Sequence, residues 1–179
     1  GSALMVWHQI LGKPREFVMD HAYWGPGFTN AECRTALKNA GLIFEALDDE
    51  VLLPKLAKMI ANGAIIGWFN GRMELGPRAL GARSFLADPR RSDMREILNH
   101  KVKLFGVEHH DPFMITVIQV AEEYKEKVPA VVHVDGTARP QMVSKQTNPR
   151  YWRLIDEFRK LTGIPMLLNT SFNVQEPIV

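Results

Sequence analysis

Cysteine is all but missing from this sequence. Cys33 stands alone in 179 residues, so no internal disulfide can form and a reducing compartment, the cytoplasm, is expected. Long apolar runs are missing too. Stretches such as AIIGWF, Ala64 to Phe69, fall far short of the roughly 20 residues a helix needs to cross a bilayer. The opening residues carry neither a basic leader nor a small-residue cleavage site. Charge of one sign is not in excess: 22 Lys and Arg stand against 20 Asp and Glu. That balance argues against a general nucleic-acid binder, whose surface is strongly basic. No G-x-x-x-x-G-K-[ST] run occurs, which excludes a Walker-type phosphate loop.

What is present is an ordinary globular composition, 46% hydrophobic and 23% charged, in a chain long enough for a proper core. The opening SALMVWHQIL reads as an apolar helix stopped by Gly12 and Pro14, and YWGPGFT reads as a linker. Thr29 with Glu32 three residues on forms a capping-box pattern, predicting a helix to about Ala40 before Gly41. EVLLPKLAKMIANG predicts a second helix closed by Gly63, with Pro54 in its first turn. AIIGWF, FMITVIQV, AVVHVDGT and IPMLLN read as strands, and Ser92 caps a short helix, DMREILN. The strongest helix is NPRYWRLIDEFRKLTG, with Pro149 at its first position and Gly163 past its end. Helices alternating with strands, without repeats, imply an α/β domain: a mixed sheet with flanking helices.

One stretch stands out chemically, GRMELGPRALGARSFLADPRR, Gly71 to Arg91. Gly76 and Gly81 allow positive φ or close backbone approach, and Pro77 fixes φ. Among them sit Arg78, Arg83 and Ser84. A guanidinium offers a planar donor fork that matches phosphate or carboxylate, so this reads as an anion cradle. An equal reading is a glycine-rich turn whose arginines pair with Glu74 and Asp88. Arg90, Arg91 and Arg95 read as a solvated helix entrance.

Two more polar stretches follow apolar strands. HVDGTARPQ offers His133, Thr137 and Arg139, and NTSFN offers Asn169, Ser171 and Asn173. Either alone is an ordinary turn. Three such stretches in one α/β domain point to one polar pocket, because strand ends are where such domains hold ligands. His109-His110-Asp111 reads as a polar loop rather than a metal site, since adjacent residues rarely share one ion. No metal ligands are assigned. The tryptophans read as packing groups.

GRMELGPRALGARSFLADPR, NHKVK, HVDGTARPQMVSK and LTGIPMLLNTSFNVQEPIV, in this order, closely resemble the C-terminal domain of the carbamoyltransferase family of nodulation proteins and antibiotic O-carbamoyltransferases. The likeness runs over nearly the whole chain. It implies a YrdC-like fold for residues 25–179, and makes residues 1–24 the last helix and linker of a preceding ASKHA-like domain. It implies a two-step reaction. The C-terminal domain would make carbamoyl-adenylate from carbamoyl phosphate and ATP, with Mg²⁺. An N-terminal transferase domain holding iron or another metal would then pass the carbamoyl group to a natural-product hydroxyl. An alternative is a nucleotide- or RNA-binding module of YrdC-like fold without catalysis, although the near-neutral charge disfavours RNA.

Carried over by motif, Arg78, Lys103 and Arg139 would bind phosphate or the carbamoyl group and serve as the catalytic set. Arg83, Ser84, Asn169, Ser171 and Asn173 would be further substrate or ATP contacts, with His133 and Thr137 orienting the adenylate. Neither a membrane nor a nucleic acid is an expected partner. This sequence departs from the family pattern in two places. After KVK, LFGVEHHDPFM replaces a charged segment and an FRPFAPS-like run, so an anion-binding arginine of the family has no counterpart. NVQEPIV also lacks the glycine that usually precedes Glu-Pro.

Overall fold

A computed structural model describes residues 2–91 and 111–172. Its helices are α1 (Ser2–Met5), α2 (Asn30–Asn39), α3 (Asp49–Ala61), α4 (Glu122–Lys125) and α5 (Pro149–Thr162). Its strands are β1 (Ile66–Phe69), β2 (Arg83–Ala87), β3 (Ile118–Gln119), β4 (Thr137–Ala138) and β5 (Leu168–Ser171). The α/β class is as the alternation implies. Among the described residues both sheets are antiparallel: β1-β2-β5 with β2 in the middle, and β3 paired with β4.

The helices form where local chemistry starts and stops them. Both halves of the Thr29–Glu32 capping box are made at the head of α2. The Asn148 side chain accepts from Tyr151 N to open α5, Pro149 takes the first position, and Gly163 at φ +75° ends it. Pro54 lies a turn further into α3 than its sequence suggests, on the exposed side, where the carbonyl it fails to pair can reach water. The opening helix is only one α turn, continued by a π turn at Val6–Ile10.

Helix α5 buries Tyr151, Leu154, Ile155 and Phe158, a spacing that makes one apolar stripe. Leu53, Ala57 and Ile60 form the matching stripe of α3, which packs against it. Arg150 reaches Asp49 at 2.6 Å and Arg153 reaches Glu50 at 3.1 Å along this seam. Leu86 of β2 and Met166, Leu167 and Leu168 at and before β5 complete the fully buried core.

Four strand expectations change, among them IPMLLN, which pairs only from Leu168 and runs on to Ser171. FMITVIQV pairs as a strand only at Ile118–Gln119, and AVVHVDGT only at its last residue, Thr137, with a 3₁₀ turn at Pro129–Val131. The Asp111 carboxylate accepts from Phe113 N, Ile115 N and Thr116 N, so those amides are taken before a ladder can use them. Residues 83–87, read from sequence as part of a glycine-rich turn, are the central strand of the larger sheet. The helix expected at 93–99 lies outside the described residues.

Candidate functional site

The segment between β1 and β2 carries Arg78, and almost every polar group around it is tied down. One carboxylate oxygen of Glu74 accepts from Leu80 N, Ala82 N and Arg83 N at 2.8, 2.7 and 3.3 Å, while Ser84 Oγ accepts from Gly81 N. The carbonyls are held from outside. Ala79 O accepts from Asn169 Nδ2 at 3.0 Å. Leu80 O accepts from the Tyr23 hydroxyl at 2.7 Å and from Gln141 Nε2 at 2.9 Å. Gly81 O accepts from Trp68 Nε1 and Asn148 Nδ2. Buried backbone groups need such partners, and here five separate segments supply them. The loop is a fixed platform, and Arg78 is exposed on it.

These bonds bring together the three polar stretches. Asn169 of β5 and Gln141 hold the carbonyls of consecutive platform residues, and Arg139 lies two residues before Gln141. Three side-chain atoms here are buried without a hydrogen-bond partner: Arg139 Nε, Gln141 Oε1 and Asn169 Oδ1. A carbonyl can only accept, so Leu80 O and Ala79 O fix each amide with its nitrogen towards the platform and its oxygen turned away. The result is two stranded acceptors on the side chains that hold the Arg78 loop, and one stranded donor two residues along the chain from Gln141. Each stranded group costs about 1–3 kcal/mol unless something fills its valence, which is the signature of a position built for a ligand or a bound water.

The other sequence-derived candidates fall in different roles. Arg83 is buried at 5% exposure; its guanidinium donates to Asn70 O, Gly71 O, Ala82 O and Pro26 O and lies 3.6 Å over the Phe69 ring. Burial lowers its pKa, with the Glu74 charge opposing. Its donors are committed to the fold, so it is a brace rather than a phosphate contact. Ser84 is fully buried and spends its hydroxyl on Gly81. Ser171 is exposed at the end of β5, opposite Ser84 in register. Lys103 and Asn173 lie outside the described residues, as do His109 and His110.

His133 and Thr137 meet, with His133 Nδ1 and Thr137 Oγ1 2.8 Å apart, and Thr137 donates its hydroxyl and N–H to Asp135. The Thr137 hydrogen bonds hold the Asp135 carboxyl below its ordinary range. Thr137 is therefore occupied in its own turn. Arg90, expected to be solvated, clamps the buried Asp88 at 2.6 Å and reaches Ala61 O; that bond raises its pKa.

Sequence reading does not find Gln141 or Tyr23 as site residues, and it finds Glu74 only as an arginine partner and Asn148 only as the start of a helix. A neutral amide or a phenol carries no motif by itself, and only Gln141 had a signal: it closes the quoted HVDGTARPQ. Tyr23 falls in the stretch that reads as a linker, yet it is built into the platform. Ala22 O accepts from Leu75 N, Met73 O accepts from Gly25 N and Pro26 O accepts from Met73 N, so residues 22–26 run as a strap along 73–75. The Tyr23 hydroxyl is pushed up to about 12, by burial first.

A cavity of about 460 Å³ opens between His21, Tyr23 and Trp24 and the start of α5, and another of about 360 Å³ lies between α2, Phe69 and Arg83. Neither is lined by Arg78, Arg139 or Asn169. Stranded polar atoms demand a polar partner, which cavity volume alone does not. Among the described residues, no three His, Cys, Asp or Glu side chains gather as a metal site.

Comparison with known proteins decides the family. A model described as "Carbamoyltransferase C-terminus" matches residues 57–105 and 103–179. The chain belongs to the carbamoyltransferase family. Nodulation protein NolO of Bradyrhizobium diazoefficiens is 42% identical over 207 aligned positions, covering 100% of this chain and 37% of that protein. Nodulation protein U of Rhizobium tropici is 36% identical over 171 positions, covering 85% of this chain and 28% of its own length. An uncharacterized protein of Synechocystis is 38% identical over 225 positions and is covered to 37%. The chain thus spans between about a quarter and little more than a third of the length of the curated relatives it matches. The alignment with the Synechocystis protein is longer than this 179-residue carbamoyltransferase chain, and the two family matches meet at 103–105. That junction is where the KVK motif breaks from the family pattern. No helix among the described residues is long and apolar enough to cross a membrane.

Proposed function

We propose that this chain is the carbamoyl-activating part of an O-carbamoyltransferase, forming carbamoyl-adenylate from carbamoyl phosphate and ATP. The observation that carries the reading is the pinned 79–83 backbone that follows the exposed Arg78, with two stranded amide oxygens on the side chains that hold it. Family membership supplies the reaction class.

The chemistry asks for fixed cations more than for a nucleophile. Water cleaves carbamoyl phosphate into carbamate and inorganic phosphate. A carbamate oxygen then attacks the α-phosphorus of ATP, the bond from that phosphorus to the bridging oxygen breaks, and pyrophosphate leaves with the electron pair. Negative charge gathers on phosphoryl oxygens throughout. Donors that are already in place stabilise it without reorganising, which is where a rigid loop helps. Arg78 and Arg139 would bind the phosphoryl groups, with Lys103 a third cation by its motif. Mg²⁺ would arrive with ATP and screen its phosphates. Transfer to a natural-product hydroxyl would fall to the portion of a full-length protein that this chain does not span.

The test is pyrophosphate release from ATP and Mg²⁺, with and without carbamoyl phosphate, on the full-length protein and on Arg78→Ala. Release that needs carbamoyl phosphate and falls at least 100-fold in the variant, on the order of one lost electrostatic contact, supports the reading. Release independent of carbamoyl phosphate, or a fully active Arg78→Ala, sinks it.

A further inference from the structure

The stranded atoms are two acceptors and one donor, and that inventory has a match. A carbamoyl group presents two N–H donors on its amine and one carbonyl acceptor. We propose that Gln141, together with Asn169, reads the amine of carbamoyl phosphate, and so sets the preference for a carbamoyl over an acyl substrate. The proposal rests on the carbamoyl-phosphate reading above and adds to it the group that distinguishes this substrate from its analogues.

Gln141 is 1% exposed and Asn169 is 4% exposed, so water competes poorly for their oxygens. Gln141 Nε2 is held by Leu80 O and Asn169 Nδ2 by Ala79 O, which aims both free oxygens away from the platform. Arg139 Nε supplies the single donor for the carbonyl oxygen. Acetyl phosphate differs from carbamoyl phosphate by a methyl in place of the amine. It would leave both acceptors buried and bare, a loss of roughly tenfold to a hundredfold in affinity for each. An apolar pocket could not separate the two, since their sizes are nearly equal.

The experiment is competitive binding of carbamoyl phosphate and acetyl phosphate to the full-length protein, to Gln141→Met and to Tyr23→Phe. Gln141 and Tyr23 both donate to Leu80 O, so Tyr23→Phe loosens the same carbonyl without touching either acceptor. The expected result is a wild-type preference of at least about a hundredfold for carbamoyl phosphate, cut at least about tenfold by Gln141→Met and kept by Tyr23→Phe. An unchanged preference in Gln141→Met overturns the assignment, as does an equal collapse in Tyr23→Phe, which would make Gln141 a brace only. A folded wild type that binds neither compound removes the carbamoyl-phosphate reading itself, and this inference with it. Should Gln141→Met not fold by circular dichroism, Asn169→Ser takes its place: a lost preference supports the proposal and a retained one overturns it.

Discussion

A methyl group added at Gly81 would lie 2.1 Å from Tyr151 Cδ1, on a backbone at φ +89°. Both costs act together, since the left-handed region disfavours a side chain and the buried ring cannot retreat. Gly81→Ala is expected to lose about 2–5 kcal/mol, read as a lower midpoint in urea unfolding. Arg78→Ala, by contrast, removes an exposed side chain from a loop held by other groups. It should shift stability by no more than about 0.5 kcal/mol. Its effect belongs to turnover, so the pair separates folding from function within one loop. The sequence made Arg78 and Gly81 visible through their motif. It misplaced Arg83 and Ser84, because a turn-forming neighbourhood hides a strand when the strand's inward residues are polar. Arginine and serine at buried positions oppose the usual pattern, and only Glu74, Phe69 and four carbonyls explain how Arg83 is tolerated there.

Among the elements, the longer helices are legible and the strands only in part: β1 falls within AIIGWF, while β2 goes unread and FMITVIQV pairs at two residues. Caps are local: Thr29 with Glu32, and Asn148 with Pro149 and Gly163, act within a few residues and can be read in order. A strand exists only through a distant partner, and FMITVIQV gives three of its eight amides to a side chain close by. Asp111 makes that competition testable. Burial opposes its ionisation, but the backbone N–H groups of Thr116, Phe113 and Ile115 outweigh it and hold its carboxyl below the ordinary 3.8. A depressed folded pKa gives stability that is present above about pH 4 and lost as pH falls through the folded value. Urea unfolding followed from pH 6 to pH 2 should therefore show a steep acid limb. In Asp111→Asn that limb should flatten while stability at pH 6 falls by about 1–3 kcal/mol, the cost of weakening hydrogen bonds to a buried charge.

At the scale of the molecule, the residues on either side of position 24 are joined to the platform. Residues ahead of His21 leave Leu4, Trp7, Ile10, Phe17 and Val18 all at least half exposed, and they contribute nothing to the core until Ala22. Residues 22–26 are different in kind, since they pair with 73–75, bury Ala22 and put the Tyr23 hydroxyl on Leu80 O. Arg72 adds two bonds to Trp24 O and Gly25 O. A composition shift at YWGPGFT marks the end of a helix, but nothing local says that the linker itself is woven into the platform. Two shortened forms of the 179-residue chain distinguish a tether from a strap. A chain starting at Asp20 should melt within about 2 °C of the parent, because exposed termini carry little stability, and should stay soluble at higher concentration once its apolar residues are removed. A chain starting at Phe28 loses the strap and leaves Leu80 O with one donor. At about 2–4 °C per kcal/mol for a chain of this size, losing several such bonds and a buried phenol should lower its Tm on the order of 10 °C. Equal melting of both forms would mean that 22–26 rests on the domain without supporting it, and that Glu74, Trp68, Ser84, Gln141, Asn148 and Asn169 hold the Arg78 loop without the strap.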